Sequence, residues 1–320
     1  MAPSIKCEEV SVALTWGTLR GKLWRVGPTT TGGLRIVAVH GWLDNANSFA
    51  NIVPLLPQGT TILALDLPGH GLSDHLPKGA LYDGFSHALN LRNALLELQW
   101  NSSVFLAHSM GAFVATIVTA MWPELVEGLI KLDWMLPLHA ATRLTAWRYD
   151  ANIHAKSEDL NTPPPVYSKD EMIERMVSSR GTGLAKDDPA DAEDSAKLLL
   201  ERDCRPERHG YTWTHDPKAR TRFMSIFGLD NYYYMLSNIS CPILVIVGDN
   251  GFLAIESDGI KESIATMKES YFKNAPNAEY HMVQGTHHLH MTQPQNAIPF
   301  ILKFLHNLNV LVQSQAMAKL

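Results

Sequence analysis

The chain contains 320 residues, which is enough for one large domain or for two domains of ordinary size. With 46% hydrophobic and 18% charged residues, 21 Gly and 18 Pro, its composition excludes a disordered chain and a collagen-like fibre. A net charge of −5 gives no basic field to neutralise a phosphate backbone, so we expect no nucleic-acid partner.

The first part of the chain alternates short β-branched apolar runs with longer runs of helical period, the pattern of βαβ units in a mostly parallel sheet. The predicted strands are Val10–Leu14 and Leu19–Arg25, which form an antiparallel start, followed by Leu34–Val39, Thr61–Asp66, Val104–Ala107 and Gly128–Asp133. The predicted helices are Ala80–Leu98 and Gly111–Met121. The second is apolar all round, which indicates burial against the sheet.

The alternation stops after Asp133 and resumes at Pro242. Residues 134–236 contain no strand-like run but carry three consecutive prolines and an acidic stretch, which indicates a helical insertion. Beyond it we predict a strand at Pro242–Gly248, a helix around Ile255–Lys268, a strand at Glu279–Val283 and a closing helix at Asn296–Val312. The sequence therefore predicts an α/β core made of residues 1–133 and 237–320, with residues 134–236 inserted as a helical lid.

The cysteines and the two ends of the chain bear on its location. Three scattered cysteines are too few for a disulfide framework, which favours a reducing compartment. The first ten residues carry charges where a signal peptide needs an apolar run, and no apolar run reaches about 18 residues, so we expect neither secretion nor a membrane span. The last residues, Ala318-Lys319-Leu320, match the small-basic-Leu pattern of a peroxisomal address. We predict a peroxisomal import receptor as partner and the peroxisome as location, with the cytoplasm as a second location.

The segment His108-Ser109-Met110-Gly111 lies between a predicted strand that ends at Ala107 and a predicted buried helix. A sharp strand-to-helix turn holds a serine Oγ out at the carboxyl edge of a sheet, so Ser109 is the candidate nucleophile. Ala107 stands where this turn usually has its first glycine. Because the difference is one methyl group, we expect it to be tolerated.

A second segment, His40-Gly41-Trp42, follows the predicted strand that ends at Val39. A loop in that place turns a backbone N–H toward the nucleophile. The N–H of Trp42 and that of Met110, at the start of the next helix, are predicted to form a two-donor oxyanion hole. We interpret His40 as structural, because such a turn acts through its backbone.

The candidate base comes late in the chain. Gly285-Thr286-His287-His288-Leu289-His290 follows the last predicted strand, and His287 is the candidate base because it lies two residues after the glycine and seven before Pro294. The three histidines also suggest a metal site. No second cluster of ligand residues accompanies them in the sequence, so we expect no metal.

The acid has two candidates. An acid usually lies three residues past the glycine that ends the next-to-last strand, but that position is Gly251, and Asp249 is only one residue past Gly248. Asp133 ends the strand after the nucleophile helix, which returns it to the sheet edge beside Ser109. We favour Asp133 because the acid must lie close to the imidazole that it orients, and we keep Asp249 as the alternative.

These motifs together resemble those of the α/β-hydrolases over nearly the whole chain. More narrowly, the run HGWLDNANSF at residues 40–49, Trp16-Gly17, Pro54-Leu55-Leu56-Pro57 and the loop from Gly285 to Pro294 resemble the serine hydrolase-like family. The resemblance implies the α/β-hydrolase fold, a nucleophile at Ser109 and a base at His287. It also implies an association with peroxisomes, and it supplies no substrate.

The residues predict acyl transfer from an ester to water through an acyl-enzyme, with no cofactor. The expected substrate is a small or medium apolar ester, with a thioester as second choice, bound under an insertion rich in aromatic residues: Trp147, Tyr149, Trp213, Tyr232, Tyr233 and Tyr234. The alternative is a weak or vestigial hydrolase that binds a ligand, suggested by Ala107 and Gly251. A serine at position 109 argues against dehalogenation or epoxide opening, which use an aspartate nucleophile.

Overall fold

The computed structural model describes residues 4–28, 33–135, 144–157, 163–179, 188–221, 229–252, 258–275 and 277–317. The strands, β1 to β10, are Ile5–Leu14, Gly17–Val26, Arg35–Val39, Thr61–Leu65, Ser103–His108, Val126–Leu132, Cys204–Glu207, Gly210–Trp213, Ile243–Asn250 and Ala278–Thr286. The helices, α1 to α9, are Gly84–Glu97, Met110–Met121, Leu144–Ser157, Lys169–Ser179, Pro189–Asp203, Leu229–Ser237, Asp258–Asn274, Leu289–Thr292 and Pro294–Met317.

A single eight-stranded sheet organises the described core. Its order is β1-β2-β4-β3-β5-β6-β9-β10. The pairs β1/β2 and β2/β4 are antiparallel, and the other neighbours run parallel. The antiparallel start and the mostly parallel remainder are those expected from the sequence.

Helices cover both faces of this sheet, which is why its central strands are apolar throughout. All six residues of β5 are buried. One face packs on α2, whose apolar residues continue the core through Phe113 to Tyr232 and Tyr271. The other face packs on α9 through Ile301 and Phe304. A strand buried on both faces reads as a continuous apolar run.

The register of the parallel strands determines which residues meet at their carboxyl edge. His108, the last residue of β5, pairs with Leu132, the last residue of β6. The next residues, Ser109 and Asp133, therefore emerge side by side, and the Ser109 N–H donates to the Leu132 carbonyl at 3.1 Å. Strand β10 ends at Thr286 on the same edge, so that His287 follows it there.

The chain between β6 and β9 contains α3, α4, α5 and α6 and also a hairpin formed by β7 and β8. The expectation that residues 134–236 contain no strand is therefore wrong. Each hairpin strand has four residues, and β7 contains Pro206, so neither gives a periodic pattern. The division into a core and an inserted lid stays a prediction, and α6 packs on α2 through Tyr232 and Phe113.

Two expectations fall on residues outside the described part of the chain. The first is the peroxisomal address, Ala318-Lys319-Leu320, which stays a prediction. The second is the role of Trp147 and Tyr149, whose side chains are not described. Within the described residues, no helix combines the length and the hydropathy needed to cross a bilayer.

Candidate active site

Ser109 occupies a strained turn between β5 and α2. Its backbone has φ 51° and ψ −120°, a conformation that costs a non-glycine residue free energy and that occurs mainly where function requires it. The side chain is 8% exposed. The turn therefore presents the Ser109 hydroxyl at the carboxyl edge of the sheet.

His287 lies between Ser109 and an acid. Its Nε2 is 2.9 Å from Ser109 Oγ, and its Nδ1 is 2.6 Å from Asp133 Oδ2. Because the carboxylate only accepts, Nδ1 carries the proton and Nε2 is left to accept the serine proton. Ser109, His287 and Asp133, all predicted from the sequence, thus come together in one hydrogen-bonded row.

The Asp133 carboxylate is fully buried and is held from two sides. Oδ1 accepts the N–H of Gly248 at 2.9 Å, and Oδ2 accepts the N–H of Phe252 at 2.7 Å. The backbone of Asp133 has φ 46°, an uncommon value that turns the side chain out of β6 toward β9. Backbone donors and imidazole together compensate the burial of its charge.

Asp249, the alternative acid, contacts the backbone of Gly285 in the chain that leads to His287. Its Oδ1 accepts the N–H of Gly285 at 3.0 Å, and its side chain is exposed. Gly251, which lacks the carboxylate expected there, lies directly against the Asp133 carboxyl group, with no room for a Cβ. The space where a carboxylate at position 251 would project is thus occupied by the carboxylate of Asp133.

The two predicted oxyanion donors, Trp42 and Met110, lie after β3 and at the start of α2, where the sequence predicted them. Met110 is the first residue of α2, where a backbone N–H has no acceptor within the helix. Trp42 follows β3, and its indole Nε1–H donates to the Ala219 carbonyl at 2.7 Å, which fixes this loop against the insertion. The His40 ring bonds backbone groups through both nitrogens: Nδ1 donates to the Gly41 carbonyl at 2.8 Å, and Nε2 accepts the Leu67 N–H at 2.9 Å. These contacts are structural, as expected of His40.

A buried polar cluster that the sequence did not predict lies behind the row from Ser109 to Asp133. We name it the Asp44 cluster: Asp44, Ser48, His108, His288 and His290. Asp44 Oδ2 lies 3.3 Å from His108 Nδ1, and Asp44 Oδ1 lies 3.8 Å from His288 Nε2. Ser48 Oγ and His290 Nε2 are 2.8 Å apart. Burial lowers the pKa of all three histidines, that of His288 to about 3. The signal for this cluster was HGWLDNANSF, which contains Asp44 and Ser48 but does not reveal their partners.

Three members of this cluster are the residues best able to hold a metal among those described. Asp44, His108 and His288 each offer one ligand atom, and these atoms lie within 4.8 Å of one another. The sequence indicated no such group, because Asp44 is far from the histidines along the chain.

The same segment also binds α5. The side-chain amide of Asn45 donates to the Leu199 carbonyl at 2.8 Å, and that of Asn47 donates to the Leu198 carbonyl at 2.7 Å. Both carbonyls belong to α5. One short run of sequence therefore contacts His288 and His290 on one side and α5 on the other.

Comparison with known proteins agrees with this geometry. The model of the alpha/beta hydrolase family matches residues 36–298. The chain belongs to the α/β-hydrolase family. A probable serine hydrolase of Drosophila melanogaster is 34% identical over 93% of this chain and 87% of that protein. A serine hydrolase-like protein of Danio rerio is 29% identical over 93% of this chain and 88% of that protein.

Solved structures agree on the fold. The crystal structure of a hypothetical protein from Pseudomonas aeruginosa PAO1 is similar, with a TM-score of 0.71 and 26% identity over 93% of this chain and 98% of that one. The expected α/β-hydrolase fold and the resemblance to serine hydrolase-like proteins are thus confirmed. The protein is a hydrolase of this family.

Proposed function

We propose that this α/β-hydrolase cleaves carboxylic esters of small or medium apolar substrates through an acyl-enzyme on Ser109. The observation that carries the proposal is the row of contacts from Ser109 Oγ through His287 to Asp133, at 2.9 and 2.6 Å. A serine so placed is activated by the adjacent base, and the base is oriented by the acid.

In the first step, His287 Nε2 takes the Ser109 proton while Oγ attacks the ester carbonyl carbon. The carbonyl oxygen becomes an oxyanion, which the backbone N–H groups of Trp42 and Met110 stabilise. When the C–O bond to the leaving group breaks, His287 returns its proton to the departing alkoxide. The alcohol leaves, and the acyl group stays on Ser109.

In the second step, His287 removes a proton from water, and the hydroxide attacks the acyl carbon. Collapse of the second tetrahedral intermediate breaks the bond to Ser109 Oγ, and His287 gives the proton back to the serine. The carboxylic acid leaves and the enzyme is regenerated. Asp133 stays ionised throughout and stabilises the imidazolium in both steps.

An apolar substrate is supported by the aromatic side chains next to the base. The Phe252 ring centroid lies 5.4 Å from that of His287, and the Trp134 ring lies 5.4 Å from that of Phe252. Of the aromatic residues expected to line a pocket, Tyr232 is buried in the core, whereas Tyr234 is 72% exposed. Phe252 and Trp134 therefore support an apolar site better than the tyrosine run does.

The test is labelling by a fluorophosphonate probe together with turnover of a chain-length series of esters and thioesters. Ser109→Ala should lose both labelling and turnover. Ser178→Ala is the matched control, because Ser178 is an exposed serine on α4 and should keep both. Turnover retained by Ser109→Ala would refute the proposal. Ligand binding without turnover above buffer would favour the vestigial alternative.

A further inference from the structure

The side chain before the nucleophile contacts the loop that carries the base. His108 Nε2 lies 2.8 Å from the backbone carbonyl oxygen of His287, and both residues are buried. Because a carbonyl oxygen only accepts, His108 Nε2 carries a proton and donates it. One hydrogen bond thus joins the residue preceding Ser109 to the backbone of His287.

The other ring nitrogen of His108 faces a carboxylate. His108 Nδ1 lies 3.3 Å from Asp44 Oδ2, in surroundings where Asp44 is 2% and His108 is 1% exposed. Two acceptors this close in a buried site repel unless one proton lies between them. Whichever atom holds that proton, the pair is neutral overall, and the carboxylate lies beside the ring nitrogen opposite the one that donates to His287.

The backbone leaves room for this pair. A Cβ on Gly41 would lie 2.7 Å from His108 Nδ1 and 2.9 Å from Asp44 Oδ2, closer than real Cβ contacts. Ser48 adds a 3.3 Å contact from its Oγ to Asp44 Oδ2. The segment HGWLDNANSF thus provides both the carboxylate of the pair, at Asp44, and the space around the pair, at Gly41.

We infer that Asp44 and His108 form a positioning pair, which holds the His287 backbone so that its imidazole meets Ser109 and Asp133. The inference rests on the proposed function, because it concerns the geometry of the proposed base. It assigns Asp44 and His108 no contact with substrate. Since a misplacement of about 1 Å at a reacting group costs about 100-fold in rate, a single backbone hydrogen bond at this point matters.

A metal ion bound between Asp44 and His108, in place of the proton, would also remove the repulsion between their acceptor atoms. His288, the third ligand of such a site, argues against it, because its buried Nδ1 has no hydrogen-bond partner among the described residues. A histidine that binds a metal almost always donates its other N–H. Without a metal, His288 can carry its single proton on Nε2, the nitrogen 3.8 Å from Asp44 Oδ1, and Nδ1 is then an unprotonated acceptor.

Two substitutions at one position separate the roles. The amide nitrogen of a glutamine reaches about as far as His108 Nε2, whereas that of an asparagine reaches only about as far as Nδ1. His108→Gln can therefore still donate to the His287 carbonyl, and His108→Asn cannot. We expect kcat to fall about 10- to 100-fold in His108→Asn with KM unchanged, and His108→Gln to regain at least part of it. Asp44→Asn should also lower kcat and not KM.

The readouts are kcat and KM for the best ester, the rate of fluorophosphonate labelling, thermal melting and the metal content of the purified protein. Folded variants in which Gln and Asn are equally active, or in which only KM changes, would overturn the inference. One equivalent of a divalent metal in the wild-type protein, lost in Asp44→Asn, would overturn it in favour of a metal site. Turnover in Ser109→Ala would instead refute the proposed function, so the two failures are distinguishable.

Discussion

The Asp133 carboxylate fills the space into which a side chain at position 251 would project. A Cβ built on Gly251 overlaps the carboxyl group of Asp133, whose oxygens bind the N–H groups of Gly248 and Phe252. Two adjacent strands, β6 and β9, can therefore deliver an acid to the same point. In this protein the carboxylate of Asp133 directly follows β6, and Gly251 directly follows β9.

The first prediction separates the two acid candidates. Asp133→Asn should lower kcat about 10³- to 10⁴-fold, because an amide cannot both accept from the surrounding N–H groups and hold the correct His287 tautomer. Asp249→Asn should change kcat by less than about threefold, because an asparagine oxygen can still accept the Gly285 N–H. Steady-state kinetics on one ester decide, and a larger loss in Asp249→Asn would reverse the assignment.

The second prediction moves the acid to the neighbouring strand. Gly251→Asp alone should be damaging, since its side chain meets the Asp133 carboxylate. Asp133→Gly should be almost inactive, and glycine tolerates the φ of 46° at that position. The double variant Asp133→Gly, Gly251→Asp should recover at least about tenfold in kcat/KM over Asp133→Gly. No recovery in a folded double variant would show that the two positions do not converge on His287.

The end points of the parallel strands were the most predictable part of the site. Residues that directly follow parallel strands meet at one edge of the sheet, so Ser109, Asp133 and His287 could be placed together from local patterns alone. The Asp44 cluster could not. Asp44 meets His108 and His288 only because the loop after β3 folds back over that edge, a contact between residues distant in the chain.

The ends of helices and strands were predicted less well, for local reasons. The helix expected from Ala80 begins at Gly84, because the Asp83 side chain accepts the Ser86 N–H and caps it. The strand expected from Val10 begins at Ile5, because Ile5 pairs with Val26 along an exposed edge where polar residues hide the apolar pattern.

The third prediction concerns the buried ion pair that joins α5 to the core. Arg202 Nη2 lies 2.8 Å from Asp66 Oδ2, and Arg202 Nη1 lies 2.7 Å from Glu9 Oε1. Burial raises the pKa of Asp66, and Arg202 acts against that rise. Arg202→Met should lower the free energy of unfolding by about 3–5 kcal/mol, because it leaves Asp66 buried without its cation.

Glu9→Gln is the control for this pair, since the Glu9 side chain is 60% exposed and its contact is screened by water. We expect it to cost at most about 1 kcal/mol. Denaturant unfolding of both variants measures the difference. Equal losses for Arg202→Met and Glu9→Gln would mean that the buried carboxylate is satisfied by the backbone N–H groups of Ala46 and Leu72 alone.

The fourth prediction concerns acid stability and follows from histidines that fold in the neutral form. Burial lowers the pKa of His70 and of His288 from 6.5 to about 3. Between pH 6.5 and 3 the unfolded chain binds protons at these rings that the folded protein does not. Their contribution to stability is therefore complete above pH 6.5 and is lost as the pH falls, by up to about 1.4 kcal/mol per pH unit for each ring.

His70→Gln tests this slope, because His70 lies outside the row of triad contacts and its Nδ1 meets only the Pro68 carbonyl, at 2.9 Å. The substitution removes one titrating ring, so the free energy of unfolding should fall less steeply with acid between pH 6 and 4, by about 1 kcal/mol per pH unit. His209→Gln is the control for the substitution itself, because that ring is exposed. Parallel slopes for wild type and His70→Gln would mean that His70 titrates alike in both states.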